Sequence, residues 1–260
     1  MALDLGAIAA SLAEARRSRK PVAPLADSFP GVDVASAYAI QEINTRRWVS
    51  EGRKIVGRKI GLTSKAVQQQ LGVGEPDYGI LWGDLAFTDG DEIPVKPFLQ
   101  PRIEAEIAFV MERGLASPDA TLTELIAAIG YALPSVEIVD SAIADWKITL
   151  ADTIADNASA GGFALGASPR KVSDVDLRLC GMLMTRNGAH ASLGVGAACL
   201  GHPLQAALWL ARKMAEVGRP LEAGDIVLSG ALGPMVAVVA GDRFTVEIQG
   251  FSPFSVSFVA

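Results

Sequence analysis

The stretch Pro101-Arg102-Ile103-Glu104-Ala105-Glu106-Ile107-Ala108-Phe109-Val110 decides the fold, because its side chains alternate in the manner of a β-strand. Its odd-numbered residues from Ile103 to Phe109 are all apolar, which predicts that one face packs on a core. Side chains two positions apart share a face and lie roughly 6.5–7 Å apart along the backbone. The pattern therefore predicts that Glu104 and Glu106 project together from the opposite face.

Two neighbouring carboxylates repel each other unless a positive group lies between them. A hard divalent cation such as Mg²⁺, which takes oxygen ligands at about 2.0–2.1 Å, would hold the pair together. The alternative is that Glu104 and Glu106 lie on the solvated outer face of an edge strand, because charged side chains are mostly exposed.

A third carboxylate favours the metal site. Glu137 lies in the short apolar stretch Leu133-Pro134-Ser135-Val136-Glu137-Ile138-Val139-Asp140, which also reads as a buried strand. A lone buried charge is costly, so Glu137 needs a partner. Three carboxylates from two strands would hold a cation and leave coordination positions open for a substrate.

Composition excludes several classes of protein. Half of the 260 residues are hydrophobic, yet no apolar run approaches the roughly 20 residues that span a membrane. This apolar excess predicts subunit contacts, and hence a homo-oligomer. The net charge of −6, without a basic stripe, argues against nucleic-acid binding.

The sequence does not contain the residue patterns that several other catalytic chemistries require. The two histidines, His190 and His202, have no metal-ligand spacing, and Cys180 and Cys199 suggest neither a disulfide framework nor a zinc site. No Gly-x-Ser-x-Gly elbow or phosphate-binding loop occurs. Because the arginines near the N-terminus follow its apolar part, a secretory signal is not expected, and we expect a cytoplasmic protein.

Periodicity divides the chain into two parts. Helical spacing over residues 3–19 and from Asp33 to Gly52 predicts a helical N-terminal cap over residues 1–55. Residues 56–260 are predicted to form a β-rich catalytic domain, in which recurring Gly-Asp turns separate antiparallel strands. Within it, helices are predicted to open at Leu62-Thr63-Ser64-Lys65, after Thr121 and from Leu204 to Val217. Asp152 to Gly166 is predicted as a loop entering a strand.

Lys59 and Asp77 are candidate proton carriers. Lys59 lies in an apolar strand, where burial would lower its pKa and suit it to proton transfer or carboxylate binding. The alternative is an exposed lysine. Asp77 follows Pro76 in a predicted turn, where it is either an acid-base group or a cap of the turn.

Several stretches together resemble the 2-keto-4-pentenoate hydratases, within the wider fumarylacetoacetate hydrolase-like superfamily. They are Gly57-Arg58-Lys59-Ile60-Gly61-Leu62-Thr63-Ser64, Pro76-Asp77-Tyr78-Gly79, Ile103-Glu104-Ala105-Glu106, Asp152-Thr153-Ile154-Ala155-Asp156-Asn157-Ala158-Ser159 and Gly230-Ala231-Leu232-Gly233-Pro234-Met235-Val236. The resemblance covers nearly the whole chain in order, without large gaps. It implies an α+β fold, a mixed β-roll or sandwich with a small helical N-terminal cap, and large homo-oligomers.

The resemblance also implies residue roles. The metal carboxylates of the family match Glu104, Glu106 and Glu137, and its active-site lysine and aspartate match Lys59 and Asp77. Ser159, Ser229 and Leu232 fall in segments that the resemblance assigns to substrate binding. The cofactor would be Mg²⁺ or Mn²⁺.

The implied reaction is the hydration of 2-hydroxypenta-2,4-dienoate to 4-hydroxy-2-oxopentanoate, a step of aromatic meta-cleavage catabolism. Two alternatives remain: a 4-oxalocrotonate decarboxylase of the same superfamily, and a non-catalytic partner subunit. A decarboxylase needs a cation or several donors at the distal end of its substrate pocket. The segment from Ser229 to Met235 is uncharged, and if it lines that end it favours hydration.

Overall fold

The computed structural model describes residues 3–65, 68–69 and 74–260. The N-terminal helices are α1 (Leu5–Ser18), α2 (Leu25–Ser28) and α3 (Val34–Ser50), and the later ones are α4 (Leu122–Ala128), α5 (Leu150–Ala155) and α6 (Pro203–Glu216). Residues 65, 68 and 69 are also helical, and the rest of the helix predicted after Leu62 lies outside the described residues. In the part of the chain that is described, no helix is long and apolar enough to cross a membrane.

The strands form two mixed sheets. The strands are β1 (Ile55–Gly61), β2 (Asp77–Trp82), β3 (Ala86–Thr88), β4 (Glu92–Pro94), β5 (Arg102–Met111), β6 (Ile129–Val139), β7 (Ala160–Leu165), β8 (Gly181–Arg186), β9 (Ala189–Val195), β10 (Ile226–Leu228), β11 (Val236–Ala237), β12 (Arg243–Ile248) and β13 (Phe254–Val259). The larger sheet has the order β2-β1-β10-β5-β6-β7-β3, with β11 also paired to β5, and the smaller has the order β4-β13-β12-β8-β9. The α+β class is confirmed.

The predicted strand at residues 101–110 is β5, and it lies inside the larger sheet. It pairs with β10 on one side and with β6 on the other, both antiparallel. Glu104 lies directly opposite Glu137 in the β5–β6 register. The alternative of a solvated edge strand is therefore wrong, because β5 has a partner on each side.

The N-terminal helices begin where the sequence predicts. Asp4 and Asp33 cap α1 and α3 by accepting hydrogen bonds from backbone N–H groups of Ala7 and Ser36, at 3.0 and 2.8 Å. These caps satisfy N–H groups that have no partner within the helix. Likewise, His202 caps α6, with its Nδ1 accepting from the N–H of Leu204 at 3.1 Å.

α1 and α3 share a core with the segment that follows β6. Ile8, Leu12 and Ile40 from the two helices pack with Ile143 and Ile154, all of them buried. Burying this apolar surface fixes the helices against the strand domain. The division at residue 55 into a cap and a catalytic domain stays a prediction.

Two sequence predictions need correction. The loop predicted from Asp152 begins instead within α5, which a capping box between Thr149 and Asp152 starts. The strand expected after it is β7. The strand pairing is also mixed: β1 is parallel to β10, and β4 is parallel to β13, whereas β12 and β13 are antiparallel as the Gly241-Asp242 turn predicts.

Candidate active site

A cavity of about 570 Å³ opens between β1, β5 and the segments after β6 and β10. Its buried lining includes Lys59 and Asp77, and Glu104 lies beside them. Its more exposed lining comes from connecting segments, which supply Trp146, Ile148, Ala198, Ala231, Gly233, Pro234 and Met235.

The three candidate metal ligands converge. Each of Glu104, Glu106 and Glu137 offers a carboxylate oxygen, and these oxygens all lie within 4.8 Å of one another. Glu106 and Glu137 are both 0% exposed. One oxygen of Glu106 accepts from the N–H of Gly230 at 2.7 Å, and its other oxygen has no hydrogen-bond partner among the described residues. The strand register brings together residues that lie more than 30 positions apart in the chain.

Burial and mutual repulsion change the acidity of this cluster. Burial raises the pKa of Glu137 to about 7; the nearby Lys59 opposes this shift, and the charge of Glu104 adds to it. Burial and the charges of Glu137 and Glu104 raise the pKa of Glu106 well above its usual value. A buried, oxygen-only set with an unpartnered oxygen fits a hard divalent cation, whose charge would offset the repulsion.

Lys59 projects from β1 into the cluster. Its Nζ lies 3.1 Å from Glu137 Oε1 and donates a hydrogen bond to the carbonyl oxygen of Ala158 at 2.8 Å. Burial by itself lowers the pKa of Lys59, but the carboxylates of Glu137 and Asp77 outweigh it, so the pKa is raised. The neighbouring carboxylates therefore oppose the lowering that burial alone predicts, and the exposed alternative is wrong because Lys59 is buried.

Asp77 is the first residue of β2 and not a cap of the preceding turn. It is buried, and neither carboxylate oxygen has a hydrogen-bond partner among the described residues. Burial raises the pKa of Asp77, and Lys59 opposes that shift. A Cβ on Gly61 would lie 2.1 Å from Asp77 Oδ1 and 3.4 Å from Lys59 Nζ. Only glycine leaves room there, and the two candidate proton carriers therefore share one space.

A strained loop supplies Ala158 and Ser159. Asn157, Ala158 and Ser159 have left-handed φ angles of 58°, 52° and 54°. Such backbone is unfavourable for residues other than glycine and persists only where surrounding contacts hold it. The Asn157 side chain does so: it accepts from the N–H of Ile80 at 2.7 Å and donates to its carbonyl oxygen at 3.0 Å.

The three predicted substrate-binding residues have different surroundings. Ser159 lines the cavity, and its hydroxyl oxygen lies 3.3 Å from that of Thr153. Ser229 is buried, with a hydroxyl that has no partner among the described residues. Leu232 is packed in the main hydrophobic core, and the cavity is lined instead by its neighbours Ala231 and Gly233.

Arg102 and Trp146 also line the cavity, although sequence reasoning did not select them. The guanidinium carbon of Arg102 lies 4.4 Å from the centre of a Trp146 ring, within the range of a cation–π contact. Arg102 Nη1 lies 3.9 Å from Met235 Sδ. The segment from Ser229 to Met235 is uncharged, but a cation lies beside it. The signal was present, because Arg102 precedes Glu104 by two positions and shares its strand face.

Comparison with known proteins places this site in a family. The model of the fumarylacetoacetate (FAA) hydrolase C-terminal family matches residues 50–259, so the fold and the match define a fumarylacetoacetate hydrolase-type protein. A 2-keto-4-pentenoate hydratase of Paraburkholderia xenovorans (strain LB400) is 53% identical over 96% of this chain and 93% of its own length. A 2-keto-4-pentenoate hydratase 1 of Dechloromonas aromatica (strain RCB) is 53% identical over 98% of this chain and 97% of its own. The chain belongs to the 2-keto-4-pentenoate hydratase family, and the resemblance seen in the sequence is confirmed.

A solved structure shows the same fold with a cation. The 4-oxalocrotonate decarboxylase from Pseudomonas putida G7, complexed with magnesium and adipate, is 37% identical and superposes with a TM-score of 0.94. The match covers 98% of this chain and 97% of the decarboxylase. The architecture is therefore shared by hydratases and a decarboxylase, and the reaction depends on the side chains of the cavity.

Proposed function

We propose that the protein is a divalent-metal-dependent hydratase, which adds water to 2-hydroxypenta-2,4-dienoate and forms 4-hydroxy-2-oxopentanoate in aromatic meta-cleavage catabolism. The observation that carries the proposal is a cluster of three carboxylates beside Lys59, at a cavity that Glu104, Lys59 and Asp77 line. The relatives that are 53% identical over nearly the full chain and named 2-keto-4-pentenoate hydratase support it.

Glu104, Glu106 and Glu137 would hold Mg²⁺ or Mn²⁺, since both cations favour oxygen ligands. When bound, the cation would act as a Lewis acid that stabilises negative charge on the 2-oxo oxygen of the substrate. The three side chains come from two adjacent strands, and a site held by strands keeps its geometry while substrates exchange.

Lys59 and Asp77 would move the protons. The substrate first loses its 2-hydroxyl proton and gains one at C5, which yields a 2-oxo-3-enoate. Water then adds its oxygen at C4, and a proton is placed at C3, so that the product differs from the substrate by one water. Asp77 suits proton transfer because burial raises its pKa toward the working range of a general acid. The raised pKa of Lys59 keeps it protonated, which makes it a proton donor beside the carboxylates, and its positive charge would also stabilise anionic intermediates.

Ser159 would contact the substrate from the strained loop that lines the cavity. Ser229 is fully buried and directly precedes Gly230, whose N–H donates a hydrogen bond to Glu106. Leu232 would act through the position of its neighbours, because its own side chain lies in the core.

We also propose a cytoplasmic homo-oligomer. Leu179, Leu193 and Val239 are 59%, 64% and 53% exposed in the single chain, and large apolar side chains at a surface favour subunit contacts. Sedimentation velocity of the purified protein tests this proposal, and a monomer at all accessible concentrations would contradict it.

A decarboxylase is the second candidate, because Arg102 supplies the cation that a second substrate carboxylate needs. The two functions separate in one experiment with 2-hydroxypenta-2,4-dienoate and 2-oxohex-3-enedioate, each assayed with the same Mg²⁺ concentration. We expect hydration of the first substrate and little CO₂ from the second. Preferential CO₂ release would assign the decarboxylase, and turnover of neither would assign a non-catalytic partner subunit.

A further inference from the structure

Arg58 is a buried cation that forms no ion pair with any of the described residues. It precedes Lys59 on β1 and therefore projects from the opposite face of that strand. Its side chain lies outside the catalytic cavity, and the residue is only 8% exposed. Its Nη1 donates to the carbonyl oxygen of Gly57 at 2.9 Å, and its Nε has no acceptor among the described residues.

Asp225 and Glu222 lie close enough for their charges to oppose the lowering of the Arg58 pKa by burial, but they do not pair with it. No carboxylate of the described residues forms an ion pair with Arg58, and residues 1–2, 66–67 and 70–73, which lie outside the description, include no Asp or Glu. Burial of a charge is costly unless an opposite charge and hydrogen bonds compensate it. The guanidinium therefore needs an anion from outside the chain.

Two adjoining cavities reach this guanidinium. One has a volume of about 320 Å³ and the other about 620 Å³, and both are lined by Thr45, Arg46, Arg58 and Arg219. Neither shares a residue with the catalytic cavity. The space is therefore sufficient for a small molecule, and it lies on the other side of β1 from the active site.

The acidic residues around these cavities are already engaged or exposed. Glu42 accepts from Arg46 Nε at 2.6 Å and also pairs with Arg219. Asp225 accepts from the N–H of Glu222 at 2.9 Å, and Glu222 itself is exposed. Three guanidinium groups thus border the space, and among the described residues only Glu42 forms an ion pair with any of them.

We propose that these cavities form a second binding site, for a small multivalent oxyanion of the phosphate or di- and tricarboxylate class. The guanidinium of Arg58 would be its buried anchor, and Arg46 and Arg219 would contact it from the rim. A guanidinium group presents several N–H donors in a planar fork, which matches two oxygens of a phosphate or a carboxylate. An oxyanion would accept hydrogen bonds from the guanidinium group of Arg58 and neutralise its charge.

Isothermal titration calorimetry with inorganic phosphate and, separately, with citrate tests the site, with ionic strength held constant by chloride. We expect the wild-type protein to bind at least one of them at a stoichiometry near one per chain. Arg58→Gln should lower the affinity at least ten-fold, and Arg17→Gln, a surface change of the same charge on α1, should leave it unchanged. Absence of binding to both anions would overturn the proposal.

Circular dichroism shows whether Arg58→Gln folds. If it does not, Arg46→Gln and Arg219→Gln replace it, because both residues are more exposed, and each should weaken binding several-fold. Unchanged affinity in both variants would overturn the proposal. A carboxylate of a second copy of the chain is the rival partner for Arg58. If the wild-type protein binds neither anion and sedimentation velocity shows that Arg58→Gln separates the subunits, that rival replaces the proposal.

Discussion

The Nζ atom of Lys59 lies 3.1 Å from Oε1 of Glu137, while the carbonyl oxygen of Ala158 accepts a hydrogen bond from the same nitrogen. One ammonium group therefore faces a cluster of buried carboxylates that it cannot neutralise alone. Because burial and the remaining negative charge disfavour ionisation, the pKa values of Glu106 and Glu137 are raised. Addition of a divalent cation would change the charge of the cluster most, so the first predictions concern the cation.

Glu106→Gln should abolish tight Mg²⁺ binding and activity while the fold survives, because glutamine keeps the shape and removes the charge. Calorimetry measures the affinity, and circular dichroism measures the fold. Glu112→Gln, an exposed change beyond the end of β5, is the matched control and should bind Mg²⁺ normally. Full activity of Glu106→Gln in a chelator would refute the three-carboxylate site.

Lys59→Ala and Asp77→Asn should each lower kcat by roughly 10²–10⁴, the usual contribution of a positioned acid or base. Mg²⁺ affinity should persist in Asp77→Asn, since that residue is not among the three ligands. Steady-state kinetics and calorimetry on the same preparations separate the two effects. Near-normal turnover in both variants would show that neither residue transfers a proton.

Mg²⁺ affinity should rise with pH between about pH 6 and pH 8, because protons held by the carboxylates must leave before the cation binds. The pKa of about 7 for Glu137 places the change in this range. The stability of the cation-free protein has the opposite trend. An unfolded glutamate releases its proton near pH 4.3, below its folded counterpart, so stability falls as pH rises toward 7.

Calorimetry in two buffers of different ionisation enthalpy counts the protons released on binding. We expect release near pH 6.5 and little release above about pH 8.5. Thermal unfolding of the cation-free protein between about pH 4.3 and pH 7 measures the stability trend. A pH-independent affinity would show that the carboxylates are already ionised before the cation arrives.

Asn157→Ala should lower kcat without loss of Mg²⁺ binding, because it removes both hydrogen bonds to Ile80 that hold the strained loop. The carbonyl oxygen of Ala158 would then no longer fix Lys59 Nζ. Two lost buried hydrogen bonds also predict a destabilisation of about 1–3 kcal/mol. Asn187→Ala is the control: Asn187 is also left-handed, but it lies in the turn between β8 and β9. It should lower stability and leave kcat unchanged.

The sequence predicted the parts of the site that depend on residues close together in the chain. Alternation around Glu104 and Glu106 specified a strand and a shared face, and Asp33 and His202 marked helix starts correctly. The approach of Glu137 to these residues depends on the β5–β6 register, which pairs residues 33 positions apart. The local pattern indicated only that a buried Glu137 needs a partner. The family resemblance matched Glu137 to the same metal site as Glu104 and Glu106.

Other features depended on tertiary neighbours and were missed. The sequence left Lys59 either buried or exposed. Its pKa rises because carboxylates surround it, and their positions are not visible in the local sequence. α5 is only six residues long and gives too short a periodic signal. Leu232 was chosen for its place in a motif, yet adjacent residues of an irregular segment face different surroundings, and its side chain entered the core.

The cavity joins two kinds of backbone that can change independently. Its buried end belongs to β1, β2, β5 and β6, where a shift of one strand would disturb the whole sheet. Its open end belongs to connecting segments, including Trp146, Ile148 and the residues from Ala231 to Met235. Loop replacement at the open end would therefore let evolution, or an engineer, exchange one substrate tail for another while the reactive centre remains intact. A library confined to these few positions is the natural starting point for a change of specificity.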